Sequence, residues 1–138
     1  MTASNSSINA FPGILSLDLV SELADSREHK PWPSGLHSKL LLKADDLRLV
    51  LTAMEAGAKI KEHHADGSVA IHALEGTLCI HVQAQEHDLH AGQILMLAPG
   101  IKHDVEARAD CAFLLTISWP SSEKLESMSN PTGGKWKS

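Results

Sequence analysis

The chain has 138 residues, of which 43% are hydrophobic and 21% charged, with a formal net charge of -5. These proportions fit one soluble globular domain and exclude a disordered or fibrous chain. The twelve Lys and Arg are scattered rather than clustered, so no basic surface for a phosphate backbone is expected and nucleic acid is excluded as a partner.

No apolar run approaches the roughly 20 residues that a membrane-spanning helix needs. The polar start Met1 to Asn9 lacks the basic head and apolar middle of a secretory signal. Both observations point to the cytoplasm and away from a membrane partner. Cys79 and Cys111 stand in apolar segments without CxxC spacing, which fits reduced core thiols. Nine histidines against no tyrosine and five other aromatics direct attention to metal or acid–base chemistry.

In chain order, the first element is a short helix over about Ile14 to Glu28, with Ile14, Leu15, Leu17, Leu19, Val20 and Leu23 as its apolar residues. Ser16 is placed to cap it, and Pro31, Pro33 and Gly35 stop it. From Leu36 the pattern becomes short apolar stretches separated by Gly, Asp and Pro, the rhythm of an all-β sandwich or barrel.

Strands are predicted at about 37–43, 47–54, 58–63, 69–74, 77–83, 87–90, 94–98, 103–107 and 111–118. His103, Val105 and Ala107 alternate with Asp104, Glu106 and Arg108, so one face points in and the other out. The stretch Phe113 to Ile117 is apolar on both faces and must be central or covered. The predicted organisation is an N-terminal helix and Pro-rich linker over 1–35, a barrel over 36–119 and a flexible tail over 120–138.

Two blocks carry a family resemblance. In the first, Gly57 is followed after five residues by His63, His64, Ala65, Asp66, Gly67, Ser68 and Val69, and after six more by Gly76. In the second, Gly92 is followed after five residues by Ala98, Pro99 and Gly100, then by His103. Together they resemble the paired motifs of the cupin superfamily. The resemblance implies a double-stranded β-helix, a jelly-roll barrel with few exposed sheet edges.

In metal-binding cupins two His, a Glu and a later His hold one divalent ion. Carried over position by position, these ligands fall on His63, Ala65, Val69 and His103, so half of the set is replaced. His63 and His103 are therefore the expected metal-site residues, with His64 in reserve if a β-bulge near Asp66 and Gly67 turns it inward. Val69, Ile71 and Val105 are expected to line an apolar pocket beside them.

Two functional readings follow. In one, a divalent metal (Fe, Mn, Zn or Ni) on the two His serves an oxygenase or isomerase acting on a small organic molecule. That arrangement normally needs a third protein ligand, for which Asp66 is the nearest carboxylate. In the other, the barrel is a non-catalytic binding or sensing module for a small-molecule ligand and needs no metal. The cupin sugar epimerases use a tyrosine acid, and this chain has none. The doubly apolar last strand and the stripe of the N-terminal helix suggest a homodimer formed by packing sheets.

Overall fold

The computed structural model describes residue 11 and residues 13–119. Along the chain it forms helix α1 (Leu19–Arg27), a 3-10 turn at Pro33–Gly35, and strands β1 (Leu36–Lys43), β2 (Leu47–Met54), β3 (Lys59–His63), β4 (Val69–Glu75), β5 (Thr77–Val82), β6 (Gln85–His90), β7 (Ile94–Leu97), β8 (His103–Ala107) and β9 (Cys111–Ser118). The tail expected beyond residue 119 lies outside the described residues.

The helix starts later than its apolar pattern suggests. Asp18, not Ser16, is the cap: its carboxylate accepts from the Val20 and Ser21 amides at 3.1 and 3.2 Å. Two otherwise unpaired first-turn donors are satisfied there, which fixes the start. Ile14 is consequently left 88% exposed, while Leu17 and Leu19 pack beside the buried Leu23.

The strands form two antiparallel sheets, ordered β1-β2-β9-β4-β7 and β3-β8-β5-β6. β9 runs between β2 and β4, pairing Leu51 with Leu114 on one side and Ile71 with Leu115 on the other. Its central place accounts for apolar residues on both of its faces. Phe113 and Leu115 join the interior, whereas Ala112 and Leu114 face outward toward the helix layer.

Between the sheets lies one core built from Met54, Val69, Ile71, Leu78, Ile80, Val105 and Phe113. Ile71, Leu78 and Ile80 are wholly buried, and each contributes about 1.5–3 kcal/mol by burial. A second cluster, Leu23, Trp32, Leu41, Leu51, Ala53 and Ala112, holds α1 on the outer face of the five-stranded sheet. Trp32 Nε1 donates to the Ser26 carbonyl at 2.9 Å, and Lys39 Nζ donates to Glu22 and Asp25 at 2.9 and 2.6 Å.

Close approaches depend on two glycines. At Gly67 a Cβ would sit 1.8 Å from the Ser118 carbonyl oxygen, and at Gly76, where φ is +68°, 2.1 Å from that of Asp110. One turn departs from sequence expectation. The sequence pattern ends one strand at 83 and resumes at 87, yet β5 and β6 are joined by Gln83 and Ala84 alone, with φ of 52° and 66°. Such a two-residue hairpin normally selects Asn or Gly, so its residues gave no turn signal.

Candidate functional site

His63 ends β3, His103 begins β8, and the two are direct cross-strand partners. The pairing slips between them and the neighbouring pair of Ile60 with Val105. Three residues of β3 therefore span two of β8, a bulge that puts the half-buried Ile60 against the core and leaves His63 exposed at the barrel mouth, beside His103. The bulge thus precedes His63 rather than following His64, and His64 is exposed. A bond from the Gly100 amide to the Ala65 carbonyl, 2.8 Å long, ties the turn of the second motif to the end of the first.

The two imidazole rings lie 4.2 Å apart between centroids, tilted by 57°. His63 Nδ1 is 2.8 Å from the Lys61 carbonyl and His103 Nδ1 is 3.1 Å from that of Ile101. A carbonyl can only accept, so both Nδ1 atoms carry a proton, and the neutral tautomer this selects presents its lone pair at Nε2. Neither Nε2 has a protein partner among the described residues. Burial holds the His103 pKa below the ordinary imidazole range, and the nearby His63 and His64 add to this. The Ile101 carbonyl and Asp104 oppose it. His103 is only 2% exposed and stays neutral around pH 7.

Ala65 is half-buried against the core, and Val69 is buried. Ile71 and Val105 belong to the same packed interior. Neither Ala65 nor Val69 can ligate a metal. Among the described residues, no third Cys, His, Asp or Glu joins His63 and His103 in a set whose ligand atoms all lie within 4.8 Å of one another. The mouth of the barrel thus offers two imidazoles, short of the three or four protein ligands of a stable divalent centre.

Other features were not legible in the sequence. A groove of about 380 Å³ on the outer face of the four-stranded sheet is lined by residues including Lys59, Lys61, Glu62, His81 and Asp104. His81 Nδ1 bonds to Asp104 across β5 and β8. His29 stacks on His37 at 5.2 Å, His37 on Trp32 at 6.2 Å, and Lys30 Nζ lies 4.6 Å from the Trp32 ring. These contacts join residues on separate strands or across the Pro-rich linker, where local pattern carries no information.

Two antiparallel sheets closed around one core, with paired glycine turns and a histidine at the barrel mouth, define a double-stranded β-helix. Residues 50–117 match the family model for the cupin domain. The chain belongs to the cupin superfamily. Similar solved structures include a conserved protein of unknown function from Streptococcus pyogenes, 22% identical with a TM-score of 0.64, the match covering 78% of this chain and 90% of that one. A cupin superfamily protein from Desulfitobacterium hafniense is 18% identical with a TM-score of 0.63, covering 69% and 87%. KdgF from Halomonas sp. is also 18% identical, with a TM-score of 0.59, covering 71% and 93%. At these identities the likeness is one of fold. No curated protein matches the chain.

Proposed function

We propose that this cupin binds a small molecule at the barrel mouth, held by Nε2 of His63 and Nε2 of His103. The observation that carries the reading is the anchoring of both Nδ1 atoms on backbone carbonyls, which leaves an Nε2 acceptor on each of two rings 4.2 Å apart. Lone pairs at Nε2 select a ligand with hydroxyl or N–H donors, and the half-buried Ala65 and Ile101 beside them favour an apolar body. The replacement of two ligand positions by Ala65 and Val69 favours binding that does not need a metal.

A second reading keeps a divalent metal (Fe, Mn, Zn or Ni) on the same two nitrogens and makes the protein an oxygenase or isomerase. It is favoured by the same anchoring, since metal-ligating histidines are commonly held by a carbonyl on their other nitrogen. It requires His64 or Asp66 to turn inward as a further ligand. Melting curves of tag-free protein with each of Fe(II), Mn(II), Zn(II) and Ni(II), compared with those of His63→Ala/His103→Ala, separate the two. A ligand that binds only the folded state raises its stability, so metal-independent binding predicts no ion shift that the double variant abolishes.

The fold unit for this role is the barrel over 36–119. Its free buried thiols, Cys79 and Cys111, suit the reducing cytoplasm. A homodimer is proposed through the outer face of β4 and β7, where Ile94 and Met96 are 54% and 62% exposed on the edge strand.

A further inference from the structure

We propose that the outer face of the four-stranded sheet carries a transition-metal site of the zinc class, formed by Cys79 Sγ, His81 Nε2 and a carboxylate oxygen of Glu86. Its ligands come from one hairpin. Cys79 and His81 alternate along β5, and Glu86 stands directly opposite His81 on β6, so all three share the face turned away from the barrel core.

The three ligand atoms lie within 4.8 Å of one another. His81 Nε2 is 3.7 Å from Cys79 Sγ and 3.3 Å from Glu86 Oε2. Around a tetrahedral zinc ion with ordinary bond lengths, the corresponding S···N and N···O edges are about 3.6 and 3.3 Å. Two of the three ligand edges therefore match those of a coordination tetrahedron, and the third, from Cys79 Sγ to the Glu86 carboxylate, is within 4.8 Å.

Two of the three ligands are oriented from behind. Asp104 on β8 accepts from His81 Nδ1, which fixes the ring and leaves Nε2 to point at Cys79 and Glu86, the arrangement of a carboxylate–histidine–metal triad. Arg108 Nη2 donates to Glu86 Oε1 at 3.0 Å, so Oε2 is the oxygen left for an ion. Burial, Asp88 and Glu86 together raise the Cys79 thiol pKa, and only the Arg108 guanidinium opposes them, so the thiolate has to be drawn out by the metal itself. On binding, the Sγ–H bond breaks and an Sγ–metal bond forms, His81 Nε2 exchanges the proton it shares with Glu86 for a bond to the metal, and both protons leave to solvent. The site is separate from the His63 and His103 pair, on the opposite face of the sheet.

Cobalt(II) as a zinc substitute tests it on the tag-free full chain after chelator treatment. A thiolate-to-cobalt charge-transfer band should grow to saturation at one equivalent, and zinc should abolish it. The band should be lost in Cys79→Ser, and retained in Cys111→Ser and in His63→Ala/His103→Ala. Asp104→Asn should weaken binding by about 10–100-fold, and Glu86→Gln should weaken it as well. These two change partly exposed side chains and keep the test decisive if Cys79→Ser does not fold. Absence of the band in the wild type would overturn the proposal and leave the cluster an ion-pair network only. So would its persistence in Cys79→Ser, or unchanged affinity in both carboxylate variants.

Discussion

His103 carries a polar ring in a place otherwise given to Val105 and Ala107, and its neutrality has a consequence for stability. Its folded pKa lies below the ordinary value of 6.5 because of burial. As pH falls through about 6.5, the unfolded chain takes up a proton that the folded ring refuses, so the folded state loses stability. Midpoints of urea unfolding should fall as the pH is lowered from neutrality, and His103→Gln should flatten that slope. His81 has the opposite sign, because its bond to Asp104 raises its pKa above 6.5. Its stabilisation is present in acid and lost as pH rises through the folded pKa, so in chelator-treated protein His81→Gln should steepen the acid decline. The position of His103 after the Pro99 and Gly100 turn is legible in the sequence, since a short turn leaves little freedom. The inward turn of Ile60 is not, because one extra residue before His63 breaks the two-residue period on which such readings depend. The His81–Asp104 pair is equally hidden, joining strands 23 residues apart in sequence.

Strands with clear alternation and Gly or Asp at both ends could be located to within about two residues. β2, β8 and β9 have the predicted bounds. Prediction was weakest where the local signal was absent or shared. The Gln83–Ala84 turn lacks the residues that announce a hairpin, and both Ser16 and Asp18 can cap a helix. Only the geometry of the first turn selects Asp18. The helix is fastened mainly through Leu23, 4% exposed against the outer sheet face. Leu23→Ala should cost about 2–4 kcal/mol by chemical denaturation, with increased hydrogen exchange confined to α1 and its flanks. Gly76→Ala combines a left-handed backbone with a Cβ directed at the Asp110 carbonyl. It should destabilise the whole barrel by at least about 1–3 kcal/mol, read from the same denaturation curves.

At the scale of the molecule, α1 covers the β1 and β2 side of the outer sheet face and leaves the β7 edge open. Ile94 and Met96 there alternate with the inward-facing Leu95 and Leu97. If this strip is a dimer contact, Met96→Lys should convert a dimer to a monomer in light-scattering chromatography and remove the rise of melting temperature with protein concentration that dimerisation gives. An unchanged mass would remove β7 from the contact. The sequence indicates surplus apolar surface, but which strand is left at an edge follows from sheet order, a property of the assembled fold.

The barrel interior is packed with aliphatic side chains, and its polar opening is the His63 and His103 pair. The most direct measurement is a melting-temperature screen of chelator-treated, tag-free protein against small hydroxylated and amide-bearing compounds, run in parallel on His63→Ala/His103→Ala. Some of these compounds should raise the melting temperature of the metal-free wild type and leave the double variant unmoved. Equal shifts in both proteins, or shifts that appear only when a divalent ion is added, would contradict metal-independent binding at this pair.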